Sequence, residues 1–85
     1  MTKRGSLIGR SRRLSGHARA ICVRIGEVQL QRQSRFAPID AVIDPTSASD
    51  WDALHALGRR LLIDTVEPYG VRLTRAGWRV AGSPR

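Results

Sequence analysis

From Met1 to Arg19 the chain carries Lys3, Arg4, Arg10, Arg12, Arg13 and Arg19 and not one carboxylate. Such a stretch contributes little to a core. Leu7, Ile8 and Leu14 are too few to offset the entropy of ordering the glycines and serines between them. Residues 1–19 are therefore expected to form a flexible Arg-rich arm, leaving residues 20–82 to fold as a single small domain. The formal net charge is +8 over 85 residues. Six of those positives lie in the arm, so the remainder carries only +2.

A chain this short buries only about 60% of its unfolded surface. No deep active-site cleft is expected, and with 41% hydrophobic and 26% charged residues the composition is globular. No apolar run approaches the roughly 20 residues of a bilayer span, and the start "MTKRGSLIGR" lacks the apolar stretch of a secretory signal. A cytoplasmic protein without a membrane partner is expected. Arginine outnumbers lysine 14 to 1 and asparagine is missing altogether, a bias of GC-rich codon usage that suggests a bacterial or phage source. Cys22 is the single cysteine, so no intrachain disulfide can form. Within "AICVRI" it reads as a small buried hydrophobe.

Beyond the arm, "AICVRIGEVQLQ" (20–31) is rich in β-branched residues and alternates: Ile21, Val23 and Ile25 share one parity, and Val28 and Leu30 the other after Gly26. This predicts a bulged strand or two short strands. The rival is a helix with Ala18, Ile21, Cys22, Ile25 and Gln29 on one face, against which the β-branched content and Gly26 count. "PIDAVIDP" (38–45) predicts a second short strand bracketed by prolines, suited to an edge. The spacing of Trp51, Leu54, Leu57, Leu61 and Leu62 predicts an amphipathic helix over about 50–66, N-capped by Ser49 and halted by Pro68. Arg60 and Asp64 would pair along it. In the tail, Val71 and Leu73 match Trp78 and Val80 across "RAG" as a hairpin with Gly77 in its loop, and both tryptophans are assigned to the core. The competing reading makes Thr74 an N-cap and "RAGWRVAG" a final helix. That version resembles the strand-then-helix "RLTxxG" ending of winged-helix regulators, a family that also needs two helices upstream, where the pattern here reads as strands. The expected fold is thus a small two-layer α+β domain, ββαββ-like, with an antiparallel sheet covered by one amphipathic helix.

Chemistry-bearing constellations are sparse. His17 and His55 are far apart, and with one cysteine no metal-ligand spacing exists, so no metal, cofactor or small-molecule substrate is implied. Asp52, His55 and Arg59 share one side of the predicted helix, its solvated one, and read as mixed-charge surface. The expectation is a non-enzymatic basic binding protein of regulatory type. Arg4, Arg10, Arg12, Arg13 and Arg19 would neutralise the phosphates of a nucleic acid, and Arg72 and Arg79 would add contacts from one sheet face. The alternative partner is an acidic protein surface, with the chain acting as a phage or mobile-element inhibitor or adaptor on a host complex.

Overall fold

A computed structural model of the chain describes residues 14–66 and 70–82. The arm proper, residues 1–13, lies outside them, and with it the expectation of flexibility. Seven elements follow in order: helix α1 (Gly16–Arg32), strand β1 (Ala37–Pro38), the one-turn helix α2 (Ile39–Val42), helix α3 (Ala48–Arg59), strands β2 (Ile63–Val66) and β3 (Gly70–Leu73), and helix α4 (Arg75–Ala81). The three strands form one antiparallel sheet in the order β1-β3-β2. The domain is α+β, but four helices surround a small sheet where one helix over four strands was expected.

The segment read as a bulged strand is the helix α1. Ser15 caps it, its Oγ accepting from the Ala18 amide at 3.0 Å, so Leu14 to Arg19, counted with the arm on charge, belong to this helix and its entry. Ala18, Ile21, Cys22, Ile25, Gly26 and Gln29 form its buried stripe, which is the face of the rival helix reading. The magnitudes show why that reading wins. Each valine or isoleucine costs a helix less than about 0.7 kcal/mol and a glycine about 1. Burying one large aliphatic side chain returns roughly 1.5–3 kcal/mol, and Ile21 and Ile25 are both buried, Ile25 completely.

The stretch 38–45 is likewise not a strand. Only Ala37 and Pro38 pair, with Val71 and Gly70, after which the chain turns into α2. Pro38 does sit on an edge strand, where a missing N–H is harmless. Helix α3 starts two residues earlier than expected, on Ser47 rather than Ser49, with the Ser47 Oγ accepting from the Asp50 amide at 3.1 Å. It also ends well before Pro68. The Leu62 amide reaches back to the Leu57 carbonyl and the Leu61 amide to that of Gly58, both at 3.0 Å. Leu61 takes the left-handed conformation (φ 60°). This is a Schellman ending with leucine where glycine is usual. Asp64 therefore leaves the helix and stands in β2, paired in register with Arg72.

The hairpin is also shifted. Val71 and Leu73 pair with Thr65 and Ile63 of β2, and Trp78 and Val80 belong to α4. Thr74 caps that helix, its Oγ1 accepting from the Gly77 amide at 3.1 Å and donating to the Leu61 carbonyl at 2.8 Å. Gly77 is not a hairpin loop residue. A Cβ there would stand 2.0 Å from the Leu62 carbonyl oxygen, so glycine allows α4 to lie against the α3–β2 turn. The core gathers where α1 meets α3, α4 and β3, with Cys22, Ile25, Leu57 and Val71 its largest fully buried side chains.

Candidate functional site

The fold sorts the charges by region. Residues 14–37 hold Arg19, Arg24, Arg32 and Arg35 against Glu27, and residues 70–82 hold Arg72, Arg75 and Arg79 with no acid. Residues 38–66, which build α2, α3 and β2, hold Asp40, Asp44, Asp50, Asp52 and Asp64 against Arg59 and Arg60. Along the described chain the first and last stretches are thus each +3 and the middle stretch −3.

Of the candidate residues, Arg19 reaches the end of the helix that carries Arg79. Arg19 is exposed on α1, and its Nη1 donates to the Val80 carbonyl at 3.4 Å, at the end of α4 that carries Arg79. A cation there also suits the negative end of the helix. Arg75 lies one turn before Arg79 on the same exposed face. The hairpin reading had placed Arg79 beside Arg72 on the sheet. That expectation fails because Arg79 is helical, while Arg72 stays on β3 with its Nε 3.6 Å from the Asp64 carboxylate. Both of those side chains are about half exposed, so their pairing contributes little to stability. Arg4, Arg10, Arg12 and Arg13 lie outside the described residues. They join the domain through Leu14, which packs against the core.

His17, read only as an arm residue, fixes where that junction lies. Its Nε2 stands 2.6 Å from Asp50 Oδ1, tying the first turn of α1 to the first turn of α3. The other carboxylate oxygen of Asp50 accepts from the Asp44 amide at 2.9 Å. That amide, with smaller help from His17, holds the Asp50 carboxyl below its ordinary pKa. The pair spans 33 positions, beyond the reach of any local pattern.

On the other flank of α3 an open groove of about 570 Å³ runs between this helix and the β2–β3 hairpin. Ile39, Trp51, Leu54, Leu61, Ile63 and Val71 contribute apolar lining, and His55, Arg59, Asp64 and Thr65 polar lining. Trp51 is held by its own indole N–H, which donates to the Pro45 carbonyl at 2.8 Å, and its ring lies 6.1 Å from that of His55. Leu61 is 73% exposed. The tryptophans have separate partners: Trp78, also half-buried, lies over Gly26. Asp52, His55 and Arg59 are all exposed, as the sequence reading had them.

Cys22 is fully buried, and burial raises its thiol pKa. Among the described residues no group of three histidine, cysteine or acidic side chains gathers to hold a metal, and no helix is long and apolar enough to cross a membrane. No family model, curated protein or solved structure matches the chain.

Proposed function

We propose that the protein is a small non-enzymatic nucleic-acid-binding regulator, which grips the phosphate backbone with its arm and the arginines of α1 and α4. The observation that carries this reading is the separation of charge. In the sequence the cations of the arm lead into α1, whose Arg19 reaches the Val80 carbonyl at the end of α4 that carries Arg75 and Arg79, while the five described aspartates lie within residues 38–66. Arginines in such an array displace counterions and hold phosphate oxygens with paired donors.

The "RLTRAG" ending resembles that of winged-helix regulators, and the two helices such an ending needs upstream are present here as α2 and α3. In helix-turn-helix proteins the second helix of the pair enters the major groove. Here that helix is α3, which exposes Asp52 and stands among five aspartates, so charge favours the α1–α4 side instead. Titration of duplex DNA against salt tests this. The log affinity should fall against log salt with a slope of about −4 to −5, from roughly 0.9 per phosphate neutralised. Arg75→Gln with Arg79→Gln should flatten it by about 1–2 units, whereas Asp52→Ala with His55→Ala should leave it unchanged. No binding at low salt rejects the reading.

The exposed apolar groove favours a second reading, an inhibitor or adaptor of phage or mobile-element type docking on an acidic protein surface. Nuclease treatment of captured complexes separates the two, since only the first partner disappears with it.

A further inference from the structure

We propose that β2 is a docking edge, to which an extended segment of a partner protein, apolar and acidic, adds as a fourth strand lying in the groove beside α3. The bonding parity of the sheet is the first observation. The Thr74 amide donates to the Leu62 carbonyl at 3.0 Å, and in the antiparallel register, with Asp64 opposite Arg72 and Val66 opposite Gly70, bonded pairs recur at every second residue. The amides and carbonyls of Ile63 and Thr65 therefore point away from β3. The sheet order β1-β3-β2 leaves that side of β2 without a strand, and among the described residues no other group bonds to them. An unpaired row of this kind is a template for one more strand.

The groove reaches round the same edge. Ile63 and Thr65 share one face of the strand and Asp64 takes the other, yet all three line it. On its α3 side stand Trp51 and Leu54, and the exposed Leu61 stands just before the strand. An added strand lies about 4.8 Å from β2, so its alternate side chains fall on this apolar wall. An open channel suits a segment that enters and leaves, whereas a small molecule needs a site that encloses most of its surface. Charge then selects among segments. Arg59 lines the α3 side, and among the described residues no carboxylate stands within ion-pair distance of it. Asp64 belongs to the other face of the strand, where it is turned to Arg72. A carboxylate on the α3-facing side of the added strand therefore meets an unpaired cation. A second copy fits less well, because the symmetric antiparallel register that joins Ile63 to Thr65 of the other copy sets two Asp64 carboxylates directly opposite each other. The proposal uses none of the arginines assigned to nucleic acid, and it gives the adaptor reading a site.

The test adds a capped peptide of sequence "TVTETVT", whose valines and glutamate share one face when extended, to the isotope-labelled full chain. Nucleic acid is left out, so the outcome is independent of the salt titration. The largest amide shift changes should fall at Ile63 and Thr65, while Leu30, on the solvent face of α1, stays unmoved. N-methylation of one alternate set of peptide amides should abolish binding and methylation of the other set should not, since an added strand pairs along one side only. Thr65→Pro should weaken binding roughly three- to tenfold and keep the fold, because that N–H serves no bond within the sheet. Arg59→Gln should weaken it roughly two- to fivefold, and a peptide with glutamine for glutamate should lose the same factor and be indifferent to that substitution. Absence of shift changes at millimolar peptide overturns the proposal, as do changes centred on another face or binding that survives Thr65→Pro and both methylated sets. Shifts of the Ile63 and Thr65 amides that follow protein concentration without peptide also overturn it and assign the edge to a second copy.

Discussion

Helices α1 and α3 pack against each other in the same core, yet only α3 announces itself in the sequence. Its buried positions, Ala53, Leu54 and Leu57, are good helix formers at helical spacing. The buried stripe of α1 includes Cys22, Gly26 and Gln29, which no hydrophobic pattern rewards. Each of these has a task set by another element. Gly26 admits the Trp78 ring and Leu73, which a Cβ would meet at 3.1 and 3.2 Å. Cys22 fills a fully buried position and points its thiol at the Gly77 carbonyl, 3.5 Å away. Gln29 completes the sheet. Continuing the β1–β3 register would set Arg35 opposite Leu73, but β1 begins only at Ala37. The Gln29 side chain fills the missing rung, accepting from the Leu73 amide at 2.9 Å and donating to the Arg35 carbonyl at 3.2 Å. A helix that serves as the hub of a small domain shows less periodicity than one that merely lies against it.

If burial and not legibility decides what a residue contributes, Leu57→Ala in α3 and Ile25→Ala in α1 should be equally severe. Both side chains are fully buried. Each truncation should cost about 2–5 kcal/mol, read from urea unfolding curves. A much smaller loss at Ile25 would show that α1 does not carry the core.

Gln29→Leu sharpens the contrast, since it makes the α1 stripe more apolar and more helix-like. By pattern it is an improvement. By the bonding it strands the Leu73 amide and the Arg35 carbonyl in a site where Gln29 is only 7% exposed, and a cost of about 2–4 kcal/mol is expected. An unchanged melting temperature would mean that water replaces the amide without loss.

The same contrast explains what the sequence reading reached and what it missed. It reached the α+β class, the existence of α3, strand β3, the edge position of Pro38 and the burial of Cys22, all carried by local composition. It also reached the Thr74 cap, but only in the competing reading. It missed α1 as a helix, which stood only as the rival to a bulged strand, and it missed the end of α3, because that helix closes on a left-handed residue other than glycine, Leu61. With no stop signal at Leu61, the periodicity ran on through Leu62 and drew β2 into the helix. On the functional side, the arm was legible as charge alone. The acidic excess of residues 38–66 is a matter of counting along the chain, whereas the approach of Arg19 to the end of α4 required the fold. The bond between His17 and Asp50 left no local trace.

Smaller effects are expected where two helices bend their own rules. Leu61→Gly relieves a left-handed leucine and should raise stability by about 0.5–1 kcal/mol, the strain relieved less the extra freedom glycine gives the unfolded chain. Gly26→Ala gains about 1 kcal/mol of helix propensity but needs Trp78 and Leu73 to retreat by a few tenths of an ångström. The two terms nearly cancel, and a change within about 1 kcal/mol of zero is expected. A large loss there would mean the α1–α4 contact cannot yield.

The smallest effect is the acid dependence of the turn that joins α2 to α3. Asp44 is held below its ordinary pKa chiefly by the hydroxyl of Thr46, then by the Thr46 amide. Asp50 is lowered chiefly by the Asp44 amide, with desolvation opposing and His17 adding less. In both cases the unfolded chain binds a proton more readily than the folded one. The stability these carboxylates contribute is therefore complete above the ordinary aspartate value of about 3.9 and is lost as the pH falls through their folded values. Asp44 is exposed and Asp50 partly so, and the acid limb should be shallow. Melting temperatures should stay flat from neutral pH down to about 5 and fall below about 4. Asp50→Asn should lower the plateau slightly and flatten part of that fall, since an amide has no proton to take up. His17→Ala should leave most of the fall in place, because the Asp44 amide is the larger cause. Parallel acid curves for Asp50→Asn and the native chain would show that the Asp50 carboxylate, and the joint it makes between α1 and α3, contributes nothing to holding the fold.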